Sequence, residues 1–342
     1  MIVLVGTLLA EGAASAAPKA DAGPALTGVN LSGAEFAGEK LPGVYGRDYI
    51  YPNPTEIDYF MSRGMDVFRI PFLWERLQPS LGGALDPAEL QRLQAIVSYA
   101  TAKGATVILD PHNYARYRGA LIGSPGVPNE RFAAFWGRLA SLYQGNDRVI
   151  FGLMNEPFGE PAEAWRDPAT AAIRAIRQAG AKNLILVPGV SWTGAHSFVH
   201  GNYGVPNAVA LQHIADPANH YAYEVHQYLD SDYSGTHDTC QSADIGVATL
   251  REFTSWLRDN HKQAFLGEFG VPVEATCLTA LRAMLAFVRD NADVWLGWTY
   301  WTAGPWMVSY HYTVEPDPHG EAPRPQMAIL EQFAHGAVSK ER

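Results

Sequence analysis

Eight short apolar runs, separated by stretches of helical periodicity, follow one another along most of this 342-residue chain. The runs expected as strands are Leu26–Leu31, Val67–Phe72, Thr106–Pro111, Ile150–Met154, Leu184–Pro188, Tyr221–His226, Ala264–Gly267 and Val294–Tyr300. Helical patterns cover Pro87–Lys103, Glu130–Tyr143, Pro168–Ala179, Gly246–Asn260, Leu278–Asn291 and Gln326–Ala334. Several open on Asp86-Pro87, Asn129-Glu130 or Asp167-Pro168, as helix starts do. Strands that are apolar on both faces belong in a parallel sheet covered by helices, because a sheet with one wet face would alternate. Eight such strand–helix cycles close the sheet into an α/β fold, the (β/α)8 TIM barrel. No Ser/Gly/Pro-rich linker or second module interrupts the pattern, so residues 26–338 are expected to form a single domain.

In a barrel of this kind polar chemistry collects at the C-terminal ends of the strands. Taken in order, those ends carry Asn30, Arg69, His112 with Asn113, Asn155 with Glu156, Trp192, His226 with Tyr228, Glu268, and Trp301. A doubly wound sheet does not account for such a ring, and no GxGxxG follows the first strand. Two members carry the most information. The apolar run from Val149 leads into Asn155-Glu156-Pro157, and the run from Ala264 into Gly267-Glu268-Phe269-Gly270. Burying a bare carboxylate costs several kcal/mol unless it is paired or keeps its proton, so a glutamate at such a strand end has a function.

The two glutamates lie on the fourth and seventh strands, 268 − 156 = 112 residues apart, and so face each other across the barrel mouth. Breaking a glycosidic bond needs one carboxyl to protonate the leaving oxygen and another to attack or to activate water. A separation of about 5–5.5 Å, the one expected here, corresponds to direct attack and retained stereochemistry. Two close carboxylates must be given different surroundings if one is to ionise and the other to stay neutral. The guanidinium of Arg69 can hold one of them ionised. His226 sits two residues before Tyr228 on one strand face and can reach the acid or a sugar hydroxyl, and Asn155 can bond the 2-hydroxyl. His112 and Asn113 are expected to orient Arg69 or grip the sugar, with Trp301 as floor and Trp192 as a platform on the leaving-group side.

Duller readings stand beside these. The glutamates could be structural ion bridges at the rim, Arg69 a structural partner, and each histidine hydrogen-bonded scaffold. Asp110 and Glu224, just before the rim histidines, are expected to be structural. His196 and His200 stand four apart but have neither an HExxH motif nor an acidic third ligand, so they read as solvated surface, and no metal or other cofactor is expected.

A net charge of −10 without any Lys/Arg run argues against a nucleic-acid partner. Nine Trp and sixteen Tyr supply flat amphipathic rings of the kind a sugar's apolar face stacks on. The apolar stretch Met1 to Ala10 is too short to span a bilayer and precedes the small residues Ala14-Ser15-Ala16-Ala17. Residues 1–17 therefore read as a signal peptide and 18–25 as a flexible lead, giving a secreted or periplasmic monomer with no membrane partner. No Lys or Arg precedes the stretch, and Glu11 interrupts it. Cys240 and Cys277 either pair, closing a loop of 277 − 240 = 37 residues, or remain two free thiols. Paired, they contribute roughly 3–4 kcal/mol in the chain-entropy account.

With Asn155-Glu156-Pro157, Glu268 on strand seven, Arg69 on strand two and His226-x-Tyr228 on strand six, the chain resembles the family 5 glycoside hydrolases. The likeness to their secreted endo-β-1,4-glucanase branch tightens at Trp74-Glu75-Arg76-Leu77-Gln78-Pro79, His112-Asn113-Tyr114-Ala115-Arg116-Tyr117 and His226-Gln227-Tyr228-Leu229-Asp230-Ser231-Asp232. The resemblance implies Glu156 as acid/base and Glu268 as nucleophile, the latter held ionised by Arg69 and Tyr228. It further implies a cleft cutting inside β-1,4-glucan chains and a Cys240–Cys277 disulfide. One departure follows Trp301-Thr302-Ala303-Gly304-Pro305-Trp306, where many relatives carry another aromatic and a Gly but this chain has Met307-Val308. With no carbohydrate-binding module appended, soluble or amorphous glucan is expected to be preferred over crystalline cellulose. A β-mannanase or mixed-linkage glucanase, with or without transglycosylation, shares the same machinery; a non-catalytic glycan-binding barrel is the alternative of another class.

Overall fold

The computed structural model describes residues 23–201, 204–317 and 322–335; the expected signal peptide and most of the lead that follows lie outside them. Eight parallel strands, β1 (Leu26–Leu31), β2 (Val67–Phe72), β3 (Thr106–Pro111), β4 (Val149–Gly152), β5 (Ile185–Pro188), β6 (Tyr221–His226), β7 (Ala264–Glu268) and β8 (Trp295–Ala303), pair in sequence order. β8 then pairs back onto β1 and closes the barrel. The helices that return the chain are α1 (Pro54–Ser62), α2 (Pro87–Ala102), α3 (Asn129–Tyr143), α4 (Ala162–Gln178), α5 (Asn207–Ala210), α6 (Ile245–Asp259), α7 (Ala275–Asp290) and α8 (Pro325–Phe333).

Period-two alternation explains how strands that look apolar throughout carry a polar site. Val67, Ile108, Ile150, Leu186, Ala222 and Phe265 form an apolar cluster of their own, separate from the main core under the helices. Two residues further along three of those strands stand Arg69, Asp110 and Glu224, all buried. The barrel is thus plugged with hydrocarbon below and lined with charge above. The alternate residues Phe68, Leu109, Tyr223 and Leu266 belong to the core shared with the helices.

Element ends differ from the sequence reading where local chemistry overrides periodicity. Asp167-Pro168 does not start a helix: α4 begins six residues earlier, at Ala162, and carries Pro168 inside it. Burial of Ala162 and Trp165 anchors that extra length, the Trp165 indole donating to the Pro188 carbonyl at 2.8 Å. α1 is short, its apolar face is carried by Ile57 and Phe60, and its start is sharply marked. Asn53 accepts from the Thr55 amide at 2.9 Å, Glu56 accepts from the Asn53 amide at 2.7 Å, and Pro54 occupies the first turn. β4 ends at Gly152, before the Leu153 and Met154 that the apolar run suggested, because the chain there turns toward the rim.

The disulfide implied by the resemblance is present. Cys240, in the loop after β6, joins Cys277 in the first turn of α7 with an S–S distance of 2.02 Å. Among the described residues no helix is long and apolar enough to cross a membrane.

Candidate active site

Register and alternation bring the rim residues to one place. Asn30 stands beside Arg69 in the β1–β2 ladder, and His226 beside Glu268 in the β6–β7 ladder. Arg69 is fully buried, and its guanidinium is the hub. It donates from Nη1 to Asn30 Oδ1 (2.9 Å) and Glu268 Oε1 (2.8 Å), from Nη2 to Asn155 Oδ1 (2.8 Å), and from Nε to Glu224 Oε1 (2.9 Å). Asp110 Oδ2 lies 3.1 Å from Nη1. A planar, permanently charged group with five donors can satisfy this many acceptors at once; a lysine could not.

Glu156 follows β4 with its backbone in the left-handed region, φ 41°, a conformation that bulky residues adopt only when their surroundings impose it. Its neighbours do so. The Asn155 amide donates to the Pro111 carbonyl at 2.9 Å, and the Trp192 amide to the Pro157 carbonyl at 3.1 Å. One carboxylate oxygen of Glu156, one of Glu268 and a ring nitrogen of His226 all lie within 4.8 Å of one another. That spacing fits the shorter of the two carboxyl separations, about 5–5.5 Å rather than 6.5–9.5 Å. Among the described residues, these three, and Asp230, Asp232 and His237, are the donor groups close enough to hold a metal ion.

The two carboxyls experience opposite fields. Burial raises the Glu156 carboxyl above its ordinary range, only partly offset by the hydrogen bond with His226 Nδ1 at 2.7 Å. Burial acts the same way on Glu268, but there His226, Arg69, His112 and the Tyr228 hydroxyl, donating at 2.8 Å, outweigh it and hold the group low. The surroundings therefore push the two carboxyls in opposite directions, Glu156 up and Glu268 down. His226 is desolvated, yet the surrounding carboxylates of Glu268, Glu156 and Glu224 push it up to about 10. His112 donates from Nδ1 to Asp110 Oδ2 (2.8 Å) and accepts at Nε2 from Asn155 Nδ2 (3.0 Å), and its ring stacks on Trp301 at 5.6 Å.

The cleft above has two adjoining halves that share Tyr114, Glu156 and Tyr228. The larger, about 660 Å³, is bounded by Phe158, Trp192, His196, His226 and Tyr233. The smaller, about 330 Å³, is bounded by His112, Glu268, Trp301 and Tyr310. Trp192 is 46% exposed and stacks on Phe158 at 5.0 Å and 9°. The segment from Asp230 to His237 borders both halves; the Asp230 carboxylate accepts from the Gly235 and Thr236 amides at 3.1 Å each.

Ten of the twelve sequence-nominated residues, counting the disulfide separately, would gather here; the geometry brings together Glu156, Glu268, Arg69, Asn155, His226, Tyr228, His112, Trp192 and Trp301, but not Asn113. Its carboxamide is buried away from the cleft, accepting from the Trp74 amide at 2.7 Å and donating to Glu75, and so it fastens the loop after β2. His196 is likewise not solvated surface. It stacks on Tyr233 at 4.1 Å and walls the larger half, whereas His200, four residues on, is exposed and faces Glu252 at 2.9 Å. Asp110 and Glu224 do have the structural placement expected of them, beneath the site against Arg69. Tyr114, Phe158 and Tyr233 were not nominated, since loop residues carry no periodicity; Tyr114 in the tract His112-Asn113-Tyr114 was the one signal available.

Comparison with known proteins agrees with this geometry. The profile of the cellulase family, glycosyl hydrolase family 5, matches residues 25–304. Endo-beta-1,4-glucanase B of Aspergillus niger is 42% identical over 307 residues, covering 90% of this chain and 89% of that protein. The endo-beta-1,4-glucanase Xac0029 from Xanthomonas axonopodis pv. citri superposes with a TM-score of 0.89 at 49% identity, covering 92% of this chain and 99% of that one. The structure of XacCel5A in complex with cellopentaose matches with the same score and identity, over 91% and 99%.

Proposed function

The chain belongs to the cellulase family of glycosyl hydrolases, family 5, and on that footing we propose that it is a retaining endo-β-1,4-glucanase working by double displacement. The observation that carries the reading is the pair of carboxyls just after β4 and at the end of β7, close enough for direct attack and shifted in opposite directions by their surroundings.

Glu268, anionic between Arg69 and Tyr228, attacks the anomeric carbon of the sugar in the smaller half while Glu156 gives its proton to the departing glycosidic oxygen. The bond formed is an ester between C1 and the Glu268 carboxylate; the bond broken is C1 to the leaving oxygen. Glu156, now a carboxylate, then takes a proton from water, which attacks C1 and releases Glu268. Asn155 has one amide hydrogen beyond the contact with His112, free to bond the 2-hydroxyl. Trp301 carries the sugar undergoing attack, and Trp192 with Phe158 carries the leaving portion. A cleft open at both halves suits cutting within a chain.

A single chain carries the whole site, which supports action as a monomer. The disulfide supports an oxidising, extracellular setting. Side-by-side assay on carboxymethylcellulose, glucomannan and mixed-linkage glucan tests the substrate: a rapid fall in viscosity of carboxymethylcellulose with few new reducing ends is expected. Preferential attack on glucomannan, or tight glucan binding without turnover, would overturn the assignment.

A further inference from the structure

Glu224 has no part in the bond-making described above, yet it lies where the two catalytic carboxyls are wired together. It is buried on β6, two residues before His226 and on the same face. Its Oε1 accepts from Arg69 Nε at 2.9 Å and stands 3.5 Å from His226 Nε2, an ion-pair rather than a hydrogen-bond distance. Its Oε2 has no hydrogen-bond partner. Room for the carboxylate is made by a missing side chain: a Cβ on Gly267 would sit 2.3 Å from Glu224 Oε1. The glycine that precedes the proposed nucleophile is thus needed to accommodate this second carboxylate.

Three carboxylates surround the His226 imidazole. Nδ1 faces Glu156 Oε1 at 2.7 Å and Glu268 Oε2 at 3.6 Å, and Nε2 faces Glu224 Oε1. An ionised carboxylate only accepts, so a bare ring nitrogen opposite Glu224 would set lone pair against lone pair. The other charged and titratable groups packed around the pair are Arg69 on β2, Asp110 on β3, His112 after β3 and Tyr228 after β6.

We propose that Glu224 is a positioning residue that keeps His226 protonated on both ring nitrogens, so that Nδ1–H is ready to receive Glu156 at the moment it becomes a carboxylate. Without that donor, the anion left on Glu156 after proton transfer would lose its 2.7 Å hydrogen-bond partner. The same Glu224 oxygen aligns Arg69, whose other nitrogens hold Glu268 and Asn155. The proposal rests on the acid/base and nucleophile assignment above, and its test reads the imidazole directly so that the two can fail separately.

The experiment is nitrogen NMR of histidine-labelled protein through a pH titration, with the His226 signals identified by their loss in His226→Asn. In the native protein His226 is expected to remain doubly protonated across the neutral range. In Glu224→Gln it should lose a proton within that range, with kcat down about tenfold, KM little changed and cooperative unfolding preserved. Glu224→Asp, which keeps the charge, should restore the doubly protonated form. A native His226 with Nε2 bare at pH 6, or a Glu224→Gln imidazole that titrates as in the native protein, overturns the proposal. If Glu224→Gln does not fold, the native titration and Glu224→Asp decide alone. Loss of glucan hydrolysis by the native protein would instead strike at the assignment on which the proposal rests.

Discussion

Replacing Arg69 with methionine removes the cation from beneath the site while nearly keeping its volume. Three buried carboxylates, Asp110, Glu224 and Glu268, then lose the ion pair each makes at 2.8–3.1 Å. Deleting one partner of a buried ion pair typically costs about 3–5 kcal/mol, because the remaining charge stays desolvated. For a domain of roughly 300 residues, with an unfolding entropy of about 2.1 cal/mol/K per residue, that lowers Tm by about 5–8 °C. The sign of the pH dependence follows from Glu224 and Glu268. Burial works against both carboxylates, but Arg69 helps to hold both below their ordinary range. Their stabilisation is present above the carboxylate's unfolded value and is lost as pH falls through the folded one. The Tm deficit of Arg69→Met is therefore largest at neutral pH and narrows in acid. Activity should fall by about 10²–10³, the usual consequence of deleting one preorganised electrostatic contact, and the acid limb of the kcat/KM profile should move to higher pH. Differential scanning calorimetry from pH 4 to 8, together with the rate profile, checks both. A variant with native Tm at pH 7 and an unmoved acid limb would refute the reasoning.

Four further outcomes are expected. Glu156→Ala should lose turnover of carboxymethylcellulose but retain formation of the glycosyl-enzyme from a dinitrophenyl cellobioside, whose leaving group needs no proton; equal loss on both substrates counts against Glu156 as the acid. Trp192→Ala should raise KM about 5–10-fold with little change in kcat, from loss of roughly 50 Å² of apolar contact at about 25 cal/mol per Å², measured on cellopentaose. Asn113→Ala should lower stability by about 1–3 kcal/mol through the unpaired Trp74 amide and Glu75 carboxylate while leaving KM alone; a raised KM with native Tm would put Asn113 back in the cleft. Reduction of Cys240–Cys277 should cost about 4 kcal/mol from reopening a 37-residue loop, read as a lower Tm in dithiothreitol.

Much of the barrel could be read from residue order because its strands obey simple rules. β1, β2, β3 and β6 have the bounds expected of them; β1 is followed by Ser32, and β3 and β6 close on Pro111 and His226. What periodicity could not show was the inward set. Asp110 and Glu224 look like isolated acids in apolar runs, and only the period-two alternation combined with closure reveals that they point to the same place as Arg69. Helix starts were legible at Asp86-Pro87, where the Asp86 side chain accepts from the Ala88 and Glu89 amides, but misled at two other places. Asp167-Pro168 has the form of an N-cap but falls inside α4, where burial of Trp165 outweighs the proline's lost donor, whereas the capping box at Asn53 starts a helix of only nine residues whose apolar face is Ile57 and Phe60.

Within the site, the residues on strand ends were legible and those on loops were not. Arg69, His226 and Glu268 are placed by the ladder, and Glu156 and Tyr228 follow within a few residues of a strand end, so spacing along the chain translates into position in space. Asn113 lies past the end of β3, where its amide turns back to the Pro111 carbonyl at 3.0 Å, and its side chain goes to Trp74 and Glu75 rather than to the cleft. His196 was misjudged because its partner, Tyr233, comes from a different loop, and no local pattern couples the two.

The central claim is that Glu268 attacks the sugar while Glu156 protonates the bond being cut. Incubation with a 2-deoxy-2-fluoro cellobioside bearing a good leaving group, followed by digestion and mass mapping, traps and locates the attacked residue. One fluorocellobiosyl unit on Glu268, with loss of activity in step with labelling, is the result expected. A label on Glu156 or on any other residue would contradict the account.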